Sequence, residues 1–174
     1  MNKKILKLLD CTLRDGGYYN AWDFSVDLIN DYLEAMSAIS VDYVELGFRS
    51  VEANSFKGGC AFTTDTFIQQ LNLPRNLKLG VMINASEIVN HKKGLIYALS
   101  QLFKPSIKSP LTLVRIACHM HEFESALPAC LWLKEMGYEV GVNLMQIAER
   151  SKDEIEKVAH LASQYPIDVL YFAD

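Results

Sequence analysis

Five apolar segments of this chain alternate, with period two, between an aliphatic face and a small or polar one. That asymmetry restricts the fold more than any other feature. Tyr43, Glu45 and Gly47 oppose Val44 and Leu46, and Gly80, Met82 and Asn84 oppose Leu79, Val81 and Ile83. Arg115, Ala117 and His119 oppose Val114, Ile116 and Cys118, while Gly141, Asn143 and Met145 oppose Val140, Val142 and Leu144. In the last segment Leu170, Phe172 and Asp174 oppose Val169, Tyr171 and Ala173. Successive side chains of a strand point to opposite faces. One face therefore suits packing under helices, and the other carries Glu45, Asn84, His119, Asn143 and Asp174 in its C-terminal halves. A parallel sheet covered by helices on both sides would be aliphatic on both. A barrel with a polar mouth at the C-terminal ends of its strands explains the pattern better.

An earlier apolar run makes six strand-like stretches: 6–13, 42–48, 77–83, 111–118, 138–145 and 167–173. Helical patterns fill most gaps. The first has Asp23 or Ser25 as its cap and Ile29, Leu33 and Met36 on one side. A short one begins near Thr64 with Phe67, Ile68 and Leu71, and another has Ser86 as its cap with Leu95, Leu99 and Leu102 further on. The fourth gap carries Ala126, Cys130, Leu133 and Met136 and stops at Gly137, a good C-terminal cap. The fifth opens with the capping box Ser151 to Glu154 and ends before Pro166. Strand and helix alternating every ~30 residues signify parallel βαβ units. The expectation is an α/β fold, a TIM (β/α)8-type barrel with only about the first six βα units present. A whole barrel needs at least ~200 residues, so residues 1–174 are read as one catalytic-barrel domain, the N-terminal portion of a longer barrel. The alternative is an open doubly wound sheet, complete at this length, with its site at a topological switch point.

Composition narrows the function. A formal charge of −4 and no Lys/Arg cluster argue against a nucleic-acid surface. No apolar run approaches the ~20 residues of a membrane span. Cys11, Cys60, Cys118 and Cys130 have no CxxC spacing and read as reduced thiols of a cytoplasmic protein. Asn2-Lys3-Lys4 before Ile5-Leu6 starts like a leader peptide, but Lys7 and Asp10 interrupt any apolar h-region.

Leu8 to Tyr19, LLDCTLRDGGYY, carries the chemistry. Alternation sets Asp10, Thr12 and Arg14 on one strand face, and Gly16-Gly17 reads as a turn that frees Asp15 to leave the strand. Arg14 and Asp15 could then face one pocket, the carboxylate on a metal and the guanidinium on a developing oxyanion. An Arg-Asp pair in a solvated turn is the plainer reading of RDGG alone. The loop from Arg49 to Thr64, with Gly58-Gly59, is the longest irregular piece.

DCTLRDGG at 10–17, VELGF at 44–48, VRIACH at 114–119, GYEVGVNLMQI at 137–147 and YFAD at 171–174 occur in an order that resembles the metal-dependent aldolase and Claisen-lyase (HMG-CoA lyase-like) superfamily. The likeness covers essentially the whole chain and is strongest to the 4-hydroxy-2-oxovalerate aldolase branch. It implies that Asp15 is a ligand of Mn²⁺ or Mg²⁺ and that Arg14 holds the enolate oxygen of a pyruvate-like unit. It sets Glu45 near the metal and its ligands; pairing of Glu45 with Arg115 or Arg14 inside the barrel is the other reading. Asn84, His119, Asn143 and Asp174 are candidate pocket residues. The aldolases have a catalytic histidine three residues after the metal aspartate, where this chain has Tyr18, a proton donor but a poor base near neutral pH. Their remaining metal ligands are a His-x-His pair on a seventh strand, beyond Asp174. His119-Met-His121 could chelate by its i, i+2 spacing, but pocket lining is the preferred reading. Met82, Met145 and Phe172 are read as barrel filling, and His91 and His160 as surface.

The resemblance therefore implies a cytoplasmic, metal-dependent carbon-carbon lyase acting on a 2-oxo acid, with Arg14, Glu45 and Tyr18 as its catalytic candidates. The alternatives are an acyl-CoA-dependent Claisen enzyme of the same superfamily and a non-catalytic binding barrel without a general base. Unpaired first and last strands lead to a further expectation, edge pairing between copies or a homo-oligomer.

Overall fold

Six strands, parallel throughout and hydrogen-bonded in chain order, form one curled sheet in the computed structural model, which describes residues 6–52 and 55–174. The stretch Asn2 to Ile5 in the leader-like segment lies outside the described residues. The strands are β1 (Leu9–Asp10), β2 (Tyr43–Phe48), β3 (Lys78–Asn84), β4 (Leu111–Cys118), β5 (Glu139–Met145) and β6 (Val169–Ala173). Helices α1 (Thr12–Asn20) and α2 (Val26–Ala38) follow β1, and α3 (Asp65–Ile68) follows β2. Helices α4 (Ala85–Val89) and α5 (Leu95–Leu102) follow β3, α6 (Phe123–Glu135) follows β4, and α7 (Lys152–Ala162) follows β5. Sequential strand order is what a barrel requires. An open doubly wound sheet would reverse direction at a switch point. The architecture is a half-barrel of the TIM type.

The aliphatic face packs as its alternation implies. Val44, Leu46, Val81, Ile83, Val114, Ile116, Val140, Val142 and Leu144 are buried in one cluster with Ile29 and Leu33 of α2, Leu99 of α5 and Leu133 of α6. Phe48, Met82 and Ala117 form a smaller apolar cluster, with Met145 and Trp22 packed against it. Ser25 caps α2 by accepting the Leu28 N–H at 3.2 Å. The capping box of α7 has both of its hydrogen bonds, and Gly137, at φ +90°, follows the end of α6.

Three local expectations are corrected. First, Gly16-Gly17 is not a turn. Strand β1 ends at Asp10, and Thr12 to Asn20 is helical with both glycines inside. The Asp10 carboxylate accepts the Thr12 N–H at 2.8 Å, and the Asp15 N–H donates to the Cys11 carbonyl at 2.9 Å. Two glycines cost a helix about 1 kcal/mol each relative to alanine, and tertiary packing offsets that here. A Cβ on Gly17 would lie 1.9 Å from the Trp22 ring, whose Nε1–H donates to the Arg14 carbonyl at 2.9 Å.

Second, Ser86 is not a cap. It lies inside α4, whose N-terminal boundary residue is Asn84. Third, the parity of β6 is inverted. Tyr171 is in register with Asn143, and its ring centre lies 4.3 Å from the Arg115 guanidinium carbon, so Val169, Tyr171 and Ala173 face inward. Leu170 packs toward the helices, and Phe172 is half-exposed rather than barrel filling. The segment is apolar on both faces, so alternation carries no sign there. Asp174 does not join the inner face; its carboxylate accepts the Ala148 N–H at 2.9 Å.

The long loop is tied down by Arg49. This guanidinium is buried, donates through Nε to the Thr63 carbonyl at 3.0 Å and through NH1 to the Leu102 carbonyl at 2.6 Å, and pairs with Asp65. At the N-terminal end of the sheet, the Tyr43 hydroxyl donates across the interior to Glu139 at 2.6 Å, and Lys78 donates to Glu139 at 2.8 Å.

Candidate active site

Strand β1 runs into α1 at the C-terminal rim of the sheet, and this short path fixes the site. Arg14 and Asp15 sit in the first turn of α1. The Arg14 guanidinium turns inward, where its Nε–H donates to Glu45 of β2, while its NH1 lies 2.7 Å from the Asp15 carboxylate. Asp15 itself is mostly exposed.

Glu45 has no exposed surface and serves two arginines. Arg115 of β4 donates through NH1 to both of its oxygens, at 3.0 and 3.1 Å. The same arginine donates through NH2 to the Asn143 side-chain oxygen of β5 at 2.8 Å, and its NH1 lies 3.3 Å from the Cys11 sulfur. Among the described residues, Arg115 Nε is a buried side-chain nitrogen without a hydrogen-bond partner; the guanidinium lies over the Tyr171 ring. Glu45 thus pairs inside the barrel with both Arg14 and Arg115. Burial would lower the Arg14 pKa, but the Glu45 and Asp15 carboxylates outweigh it and hold the guanidinium above its ordinary value. Burial pushes the Cys11 thiol up and Glu45 adds to this, against the pull of Arg115 and Arg14.

The other predicted residues occupy distinct positions on the same rim. Tyr18 and Asn84 line one cavity of about 210 Å³ with Trp22, Phe48 and Lys57. Tyr18 is exposed, with ring contacts to Trp22 at 4.8 Å and Phe48 at 6.3 Å, and the Asn84 amide donates to Glu87 at 2.9 Å. Arg14 reaches this cavity's wall, its guanidinium carbon 5.9 Å from the Phe48 ring centre. His119 and His121 line a different cavity of about 390 Å³ with Gln146 and Arg150. Their rings stack with centres 5.8 Å apart and planes 8° apart, so their in-plane lone pairs run side by side rather than converging on an ion. The structure thus brings Arg14, Asp15, Glu45 and Asn143 into one network, and Tyr18 and Asn84 into an adjoining cavity. His119 and Asp174 belong to neither.

Sequence reasoning gave Arg115 only as a possible partner for Glu45 and did not assign Cys11 to the site. The signal for Arg115 was present: it is a charge in mid-strand with the same parity as Asn143, a position that must be paired when buried.

The described residues do not make a metal site by themselves. No group of three or more His, Cys, Asp or Glu side chains among them could hold an ion, and one carboxylate does not fill an octahedral Mn²⁺ or Mg²⁺ site. No described helix is long and apolar enough to cross a membrane.

Comparison with known proteins agrees with the fold. An N-terminal domain from Bacteroides vulgatus superposes with a TM-score of 0.68 at 22% identity, over 97% of this chain and 73% of that one. The HMG-CoA lyase of Bacillus subtilis superposes with a TM-score of 0.65 at 8% identity, over 99% of this chain and 59% of that one. The fold is that of a partial TIM-type barrel, shared with these two structures. In sequence, the chain is 26% identical over 172 residues to 4-hydroxy-2-oxovalerate aldolase of Pelotomaculum thermopropionicum, 97% of this chain and 48% of that protein. It is 22% identical over 170 residues to oxaloacetate decarboxylase of Mycobacterium tuberculosis, 96% of this chain and 47% of that protein. The chain spans about half the length of these curated relatives. No protein-family model matches it.

Proposed function

We propose that this chain is the N-terminal part of a metal-dependent carbon-carbon lyase that cleaves a 4-hydroxy-2-oxo acid or a similar 2-oxo acid. The observation that carries the reading is the Arg14–Asp15 pair at the C-terminal rim, with Arg14 anchored from below by Glu45. Cleavage of the bond between C3 and C4 leaves its electron pair on a pyruvate enolate, while the C4 hydroxyl loses a proton and becomes an aldehyde. A guanidinium fixed in a partly dry site stabilises such an oxyanion without reorganising. Arg14 is the group for that role. Asp15 would give one ligand to Mn²⁺ or Mg²⁺, with the remaining ligands drawn from residues beyond 174. The ion, when bound, would polarise the 2-oxo group.

Tyr18, a proton donor, is the candidate to protonate the enolate at C3 so that pyruvate is released, while the C4 hydroxyl proton leaves to water; it lines the cavity that Arg14 adjoins. Asn84, on the same cavity, and Asn143, in the network behind Arg14, are offered as contacts for the rest of the substrate; His119, on the neighbouring cavity, and Asp174, held by the Ala148 N–H, stand apart from them.

The test is pyruvate release from 4-hydroxy-2-oxo acids by the full-length protein with Mn²⁺. Release that needs the metal and is abolished in D15N supports the reading. Undiminished release in D15N, or no release from any 2-oxo acid tried, ends it. A second reading has one observation in its favour: Tyr18 packs by its ring edge on Trp22 and Phe48, as a structural tyrosine would. On that reading the barrel binds a 2-oxo acid without cleaving it, and calorimetry would detect binding with no turnover. A condensing enzyme of the same superfamily would instead need an acyl-CoA for activity.

A further inference from the structure

We infer that Arg115 is a positioning residue for Arg14 and acts on it through the shared carboxylate of Glu45. This inference rests on the lyase reading for its kinetic consequence, though not for its geometry. Arg14 and Arg115 do not approach the rim in the same way. Arg115 is held from three sides: its NH1 contacts both Glu45 oxygens, its NH2 contacts Asn143, and the Tyr171 ring lies against its face. It is nine-tenths buried or more and its Nε–H has no partner, so these contacts, with the Cys11 sulfur 3.3 Å from its NH1, define its orientation. Arg14 gives its Nε–H to one oxygen of the same carboxylate and its NH1 to Asp15, with the Cys11 thiol as a further neighbour.

The order of constraint therefore runs from Asn143 and Tyr171 to Arg115, then to Glu45, then to Arg14. A carboxylate with four acceptor sites can serve both arginines only while it is fixed in rotation. Arg115 fixes it by engaging both oxygens with one nitrogen. The buried group also carries two positive charges against one negative. If Arg115 were absent, Glu45 would be free to take Arg14 by both nitrogens in a fork, the geometry that guanidinium and carboxylate prefer. That would draw the Arg14 head group away from Asp15 and the rim. Arg115 thus leaves Arg14 singly held, with its outer nitrogens presented to the site.

The test uses the full-length protein labelled with ¹⁵N-arginine, and the Arg14 Nε–H signal is assigned by its loss in R14K. In the wild type that proton, bonded to the buried Glu45, should exchange slowly with solvent. In R115M and, to a smaller degree, in N143S the inference expects its chemical shift and exchange to change, and R115K to restore part of the wild-type behaviour. An Arg14 Nε–H signal unaltered in folded R115M would overturn it. Should R115M not fold, R115K and N143S decide on the same readout. Kinetically, a misplaced guanidinium predicts a fall in kcat of about 100-fold with KM little changed. In an E45Q background, R115M should add little, since the connecting carboxylate has gone. Equal R115M effects with and without E45Q would show that Arg115 acts independently and would also overturn the inference. If the wild type releases no pyruvate, the lyase reading fails and the exchange measurement alone decides this one.

Discussion

Glu45 and Arg115 are separated by 70 residues and yet joined by two hydrogen bonds, at 3.0 and 3.1 Å, across the inside of the curled sheet. The carboxylate has no exposed surface and the guanidinium almost none. Removing one partner of such a pair strands a charge in a site where water cannot reach it, and that is far costlier than the pair's own net contribution. E45A leaves the buried Arg115 without a carboxylate and Arg14 with Asp15 alone, and should cost about 3–5 kcal/mol of stability. E45Q keeps the shape and one acceptor and should cost less. Urea denaturation of the two variants checks the order, and equal stabilities would contradict it.

The two adjacent glycines of α1 should respond oppositely to the same substitution. A Cβ on Gly16 would meet only the Phe24 ring edge at 3.7 Å, an ordinary contact, whereas one on Gly17 would overlap Trp22. G16A should therefore raise stability by up to about 1 kcal/mol through helix propensity. G17A should lower it by about 1–3 kcal/mol through overpacking and loss of the indole bond to the Arg14 carbonyl. Thermal melts of the two variants measure the difference.

Acid sensitivity should originate partly at the N-terminal end of the sheet. Burial would raise the Glu139 carboxyl, but the Lys78 ammonium and the Tyr43 hydroxyl outweigh it and hold it below its ordinary 4.5. The folded value lies below the unfolded one, so this stabilisation is present above the unfolded pKa and is lost as pH falls through the folded one. The hydrogen bond to Glu139 raises Lys78 above its ordinary 10.5, so the same contact is also lost as pH rises through that folded value. Glu139 is about one-third exposed, so solvent screening keeps the effect to roughly 1 kcal/mol or less. E139Q should flatten the fall in stability between neutral pH and pH 3 without abolishing it. The Asp168 carboxyl is depressed as well: burial opposes the shift, but Lys134 and the Val140 N–H override it.

Tyr18 should separate catalysis from packing. Y18F keeps the ring contacts with Trp22 and Phe48 and removes only the hydroxyl, so the fold should be unaffected. If that hydroxyl handles the proton, pyruvate release should fall by about 10²–10⁴-fold. An undiminished rate in Y18F would transfer the proton to another group.

The barrel direction was readable because strands β2 to β5 each had one face of Val, Leu and Ile that could go only under helices. In β6 the residues Leu170 to Phe172 offer no such contrast, and the deciding contact, Tyr171 on Arg115, joins segments more than fifty residues apart. RDGG was misread for a related reason. Local propensity favours a turn at two glycines, while the helix depends on the later residue Trp22 closing over Gly17. Charge and parity brought Glu45, Asn143 and the Arg14–Asp15 pair to notice, but a linear sequence does not say which arginine a buried carboxylate will take. Here it took both. Arg49 gave a comparable unused signal, an arginine directly after the apolar run of β2.

Arg49 stands where that run ends and, through the carbonyl of Thr63, also holds the far side of the irregular segment it begins. One guanidinium thus clasps the end of β2 to Thr63, to Asp65 of α3 and to the end of α5. A single substitution at Arg49 would therefore release three separate fastenings beside the mouth of the barrel at once.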